Sequence, residues 1–94
     1  MNYRMNNVTI VGAGTMGHSL AQVFAQGGYQ VFLNDISQET LIRAKRLIES
    51  NLKSLAEVGL FHLQDLSMVV EERIAYTTDL ADAVASSGLV IEAI

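Results

Sequence analysis

Hydrophobic positions along this chain fall into short apolar runs alternating with longer stretches of helical spacing. Val8-Thr9-Ile10-Val11 is a β-branched run of strand type. A helix is predicted from about Thr15 to Gln26, with Met16, Leu20, Val23 and Phe24 on one apolar stripe. Gly17 and Ala21, one turn apart on it, offer a small face to a sheet. Gly27-Gly28 ends the helix, because glycine just past a last turn can take the left-handed cap. Gln30–Asn34 follows as a second strand, apolar enough to be buried on both faces as a parallel strand is.

Ser37 is an N-cap for a second helix, with Gln38 and Glu39 in its electropositive first turn. Leu41, Ala44, Ile48, Leu52 and Leu55 form its apolar face, and it stops near Gly59. Beyond it Leu60, Phe61, Leu63 and Leu66 lack a clean period, and a short helix is predicted over about Gln64–Glu72. Ile74–Thr77 reads as strand three. Asp79 caps a short helix through about Ala85, and Ser86-Ser87-Gly88 turns into strand four, Leu89–Ile94.

Composition narrows the function classes. Half of the 94 residues are hydrophobic, enough for a core, and that length allows one domain at most. A net charge of -4 gives no basic footprint for nucleic acid. No apolar run approaches the ~18 residues that a membrane span needs. The polar start, Met1 to Asn7, leads directly into the first strand and does not read as a signal peptide. With no cysteine there is neither a disulfide framework nor a thiol nucleophile, so a soluble cytoplasmic protein is expected.

The candidate chemistry lies where strand one meets helix one. Gly12-Ala13-Gly14-Thr15-Met16-Gly17 has the pattern Gly-x-Gly-x-x-Gly, and each glycine has a separate task. Gly12 permits the tight turn out of the strand, Gly14 leaves room for a pyrophosphate, and Gly17 lets helix and strand pack closely. The free N–H groups and positive dipole end of the helix then face the phosphates. Alone the pattern is weak. Here it follows an apolar strand and opens a helix, and Asp35 ends the next strand 18 residues past Gly17. A carboxylate there suits the hydroxyls of an adenosine ribose.

Alternating strands and helices imply an α/β fold with a parallel sheet and helices on both faces. The expected strand order is 3-2-1-4, the first half of a doubly wound, Rossmann-type domain. Because the chain stops inside a strand of buried type, residues 1–94 are expected to be a truncated N-terminal part of that domain.

Several blocks together resemble the start of L-3-hydroxyacyl-CoA and 3-hydroxybutyryl-CoA dehydrogenases. They are Val8 to Gly17, Ala21-Gln22, Asp35, Thr77-Thr78-Asp79-Leu80 and Leu89 to Ile94. Two stretches, Phe61 to Leu66 and Gly88, depart from the family pattern. The resemblance implies NAD as cofactor and reversible oxidation of the 3-hydroxyl of an acyl-CoA. It places the pyrophosphate on Gly12, Ala13, Gly14, Thr15, Met16 and Gly17, and the adenosine ribose on Asp35. The nicotinamide side would meet the backbone around Ala93 and Ile94. It further implies a homodimer with a C-terminal helical substrate domain. The family's catalytic His–Glu pair and its Ser and Asn partners follow the Glu-Ala-Ile block, so no catalytic residue is expected within this chain. Another hydroxyacid or sugar-acid dehydrogenase, an FAD enzyme and a non-catalytic dinucleotide-binding module stay open as alternatives. Glutamate after strand two would favour FAD, and this chain has aspartate.

Other tempting residues have plainer readings. His18, in the first turn of the phosphate-facing helix, reads as packing, because a cationic imidazole is disfavoured at the positive helix end. His62 reads as incidental, and Glu92 as a backbone cap or loop-orienting group. Arg43, Lys45, Arg46 and Lys53 read as a solvated helix face, and Glu71, Glu72, Asp79 and Asp82 as solvated or capping groups. Two distant histidines without cysteine make no metal site.

Overall fold

A computed structural model describes residues 6–94; Met1 to Met5, most of the polar start, lie outside the described residues. Strands β1 (Asn7–Val11), β2 (Gln30–Asn34), β3 (Ile74–Thr77) and β4 (Leu89–Glu92) form one sheet in the order β3-β2-β1-β4. Every pairing is parallel, with Ile10 opposite Leu33 on one side and Ile91 on the other. Helices α1 (Thr15–Gln26), α2 (Gln38–Glu57) and α3 (Leu80–Val84) connect the strands. This is the expected half of a doubly wound fold.

The core forms where the central strands meet α1 and α2. Val8, Ile10, Val31 and Leu33 of the strands are buried with Leu41, Ala44, Ile48 and Leu52 of α2. Each of the larger side chains contributes roughly 1.5–3 kcal/mol by leaving water. The α2 face therefore falls as its spacing predicts, with Leu55 packed at its margin. Its start is capped as expected, the Thr40 N–H donating to Ser37 Oγ at 3.2 Å.

The expected stripe on α1 is not the buried one. Met16 and Val23 are both 64% exposed, whereas Gly17, His18, Ala21, Gln22 and Ala25 are buried. Steric closeness decides this. A Cβ on Gly17 would overlap the Gly12 carbonyl, so the face against the sheet has to be made of small residues. Leu20 and Phe24 flank the core instead of entering it.

The segment predicted as a short helix over Gln64–Glu72 is helical, but not as one α-helix. It winds as a 3-10 turn, Leu63–Asp65, and then a π-helical turn, Met68–Glu72. The wide turn closes through the Arg73 N–H to the Met68 carbonyl at 3.0 Å and lets consecutive Val69 and Val70 both be buried. The Arg73 guanidinium continues inward to the Ala25 carbonyl at the end of α1, 3.0 Å away. Tyr76 of β3 donates to the Val70 carbonyl, and burial with Glu71 and Glu49 nearby holds its phenol well above its ordinary pKa.

At the opposite edge, β4 ends at Glu92, two residues earlier than expected, and Glu92 is exposed. Leu89 and Val90 are each 47% exposed. The strand is thus less buried than its apolar sequence suggests. It is held by its ladder to β1, by the Gly88 N–H to the Asn7 carbonyl and by the Ala93 N–H to the Val11 carbonyl. Behind β1, Thr9 Oγ1 is hydrogen-bonded to Ser87 Oγ and the Ala83 carbonyl, tying α3 to the sheet.

Candidate dinucleotide site

At the carboxyl ends of β1 and β2 the chain makes two sharp exits, and a cleft of about 580 Å³ opens between them. Such a crevice, next to the point where strand order reverses, is where open α/β sheets bind ligands. Its floor is set by Gly12, whose φ of +103° is a backbone conformation that favours glycine. The Gly12 N–H donates to the Asn34 carbonyl at 2.7 Å, which holds the loop to the tip of β2. A Cβ on Gly12 would press on the Ala93 carbonyl, 3.1 Å away.

Gly14 differs from both other glycines of the motif. Its φ of -74° is ordinary, and a Cβ there would meet nothing within 4 Å. The residue therefore faces open space, as a seat for a phosphate requires. It is also the N-cap of α1, with no side chain capping it and no acidic residue in the first turn. The other two helix starts are served by their own side chains: Ser37 on α2 and Asp79 on α3, whose Oδ1 accepts from the Asp82 N–H at 3.0 Å. Of the three α-helices among the described residues, α1 alone begins with no side-chain cap, and it presents its bare N–H groups and positive dipole end to the cleft.

Asp35 stands on the opposite wall and binds both exits together. Its Oδ2 accepts from the Ala13 N–H and its Oδ1 from the Ser37 N–H, each at 2.9 Å. An ionised carboxylate has about four lone-pair positions, so two remain for hydroxyl donors. The same group fixes the glycine loop and can read a ribose.

Of the nine residues predicted for the cofactor, the cleft is lined by Gly12, Gly14, Thr15, Met16, Asp35, Ala93 and Ile94. Ala13 and Gly17 stand behind it. The N–H of Ala13 is occupied by Asp35, and Gly17 sits against the Gly12 carbonyl. Sequence reasoning missed Val11, Asn34, Ile36 and Thr40 on the lining. Ile36 is 95% exposed, and an isoleucine next to Asp35 was the available signal. His18, read as packing, is indeed buried, and its Nδ1 lies 2.8 Å from the Gly14 carbonyl. His62 lines a separate groove beside Phe61 and Leu63. Among the described residues no group of three His, Cys, Asp or Glu is placed to hold a metal, and no helix is long and apolar enough to cross a membrane.

A half-wound parallel sheet with an open, uncapped glycine turn facing a carboxylate at the end of β2 defines a dinucleotide-binding domain. The 3-hydroxyacyl-CoA dehydrogenase NAD-binding domain family matches residues 7–94, and the chain belongs to that family. It is 47% identical over 85 residues to a probable 3-hydroxybutyryl-CoA dehydrogenase of Deinococcus radiodurans, covering 90% of this chain and 30% of that protein. Against the human mitochondrial hydroxyacyl-coenzyme A dehydrogenase it is 37% identical, over 96% of this chain and 30% of the relative. The crystal structure of (S)-3-hydroxybutyryl-CoA dehydrogenase from Ralstonia eutropha superposes with a TM-score of 0.87 at 32% identity. That match covers 95% of this chain and 31% of the other. The chain thus spans about 30% of the length of these relatives.

Proposed function

We propose that this chain is the NAD-binding portion of an oxidoreductase that reversibly oxidises the 3-hydroxyl of a 3-hydroxyacyl-CoA. The observation that carries the reading is the single cleft that brings the bare start of α1, open at Gly14, opposite Asp35. Gly12, Gly14, Thr15 and Met16 receive the pyrophosphate, with Ala13 and Gly17 shaping the loop from behind. Asp35 accepts from the adenosine ribose, and Ile36 lies against the adenosine side. Ala93 and Ile94 form the rim toward the nicotinamide. Bound NAD supplies the hydride acceptor; this chain's residues bind and orient it.

Family membership and the names of the relatives support the acyl-CoA substrate. The one carboxylate of the cleft, Asp35, is held by the Ala13 and Ser37 N–H groups and is assigned to the ribose, whereas a general base has to stand within about 3 Å of the substrate hydroxyl. We assign the base, the acyl-CoA site and a homodimer interface to the part of such enzymes that these 94 residues do not match. Cytoplasm is the compartment we assign. The test is reduction of acetoacetyl-CoA by NADH, followed at 340 nm, with the full natural chain and with residues 1–94 alone. Activity is expected from the full chain and none from residues 1–94. An inactive full chain that still binds NADH would favour a non-catalytic module.

A further inference from the structure

We propose that His18 is a positioning residue that sets the orientation of the peptide between Gly14 and Thr15, and so the aim of the pyrophosphate seat. The inference rests on the reading of the glycine turn as that seat. His18 is 7% exposed and belongs to the first turn of α1. Its Nδ1 lies 2.8 Å from the Gly14 carbonyl, and its own backbone N–H donates to the same oxygen at 3.0 Å. A carbonyl can only accept, so Nδ1 carries the proton and both lone pairs of that oxygen are engaged by one residue.

The consequence follows from the planar trans peptide. With the Gly14 carbonyl held along the helix, the Thr15 N–H points the opposite way, out of the helix start and into the cleft. Gly14 has no Cβ to limit its rotation, and no side chain caps α1. Without the imidazole only the helical bond from the His18 N–H restrains this peptide, and first-turn bonds are prone to fray. No buried side-chain nitrogen or oxygen lacks a partner, and Nε2 has none, among the described residues. That nitrogen therefore reaches the surface, and the anchoring tautomer is free of competition from other protein groups.

The test compares His18→Ala, His18→Asn and His18→Gln in the full chain, using NADH, ADP and adenosine as ligands, with thermal unfolding as the check on folding. The asparagine amide occupies about the place of Nδ1; that of glutamine lies farther out. His18→Ala is expected to weaken NADH and ADP by about three- to tenfold, the value of one hydrogen bond, and to leave adenosine unchanged. His18→Asn is expected to restore ADP binding to within twofold. Equal losses for ADP and adenosine, no loss at all, or no rescue by asparagine would overturn the proposal. Should the alanine protein not fold, the Asn and Gln variants decide: asparagine near the parent and glutamine three- to tenfold weaker for ADP supports it, and equal values overturn it. Failure of the underlying site reading shows itself separately, as a Gly14→Val protein that binds NADH like the parent.

Discussion

Two helices begin beside Asp35 in space, and they begin differently. At the start of α2 a serine caps the backbone, Glu39 sits in the first turn, and the Asp35 carboxylate takes the Ser37 N–H. The start of α1 has glycine at the same position, no capping side chain and no acid. Replacing a good cap by a poor one costs a helix about 1 kcal/mol, although glycine forfeits only a few tenths. The α2 terminus is finished by its own sequence. The α1 terminus is left open toward the cleft. The contrast leaves uncapped N–H donors on the cleft at α1 and a closed terminus at α2.

The comparison breaks most severely at Gly17. Alanine there would drive its Cβ into the Gly12 carbonyl, so either the loop or the whole of α1 has to move. A loss of roughly 3 kcal/mol or more is expected, at the upper end of overpacking costs, read as a lowered midpoint in urea. Gly14→Asp sharpens the contrast, because it gives α1 the cap that α2 already has. NADH binding is expected to fall a hundredfold or more by calorimetry, from lost volume and like charge. Stability is expected to stay the same or rise by a few tenths of a kcal/mol. Ser37→Ala is the smallest change. It is expected to cost about 1 kcal/mol in unfolding while NADH affinity stays within twofold.

Features governed by near neighbours in the chain were legible before the structure. The caps at Ser37 and Asp79, the α2 face, the strand order, the turn at Gly12 and the close approach at Gly17 all follow from local spacing and chain topology. Features governed by distance of approach were legible only in part: the small face of Gly17 and Ala21 was expected and is buried, but not that it would turn the apolar stripe of α1 outward. Met16 and Val23 look like core residues by period, yet the closeness of α1 to the sheet at Gly17 leaves room only for small side chains on the facing side. The π-helical turn at Met68–Glu72 is followed by Arg73, whose side chain reaches the end of α1, a contact that no local pattern announces. At the site, the place of Asp35 on the cleft at the end of β2 was legible. Its role in clasping Ala13 and Ser37 depends on the meeting of two loops and was not.

The central claim is that Asp35, held by the glycine turn, reads the ribose of NAD, and comparing NADH with NADPH tests it most directly. A charged hydrogen bond to the ribose contributes roughly 1.5–3 kcal/mol. A 2′-phosphate about 4 Å from the carboxylate costs up to about 4 kcal/mol at an effective dielectric near 20. Fluorescence titration of the full chain is therefore expected to show NADH binding a hundredfold or more tighter than NADPH, with Asp35→Ser narrowing the gap at least tenfold. Equal affinities for the two cofactors in the parent protein would contradict the assignment of Asp35 and, with it, the orientation of the dinucleotide in the cleft.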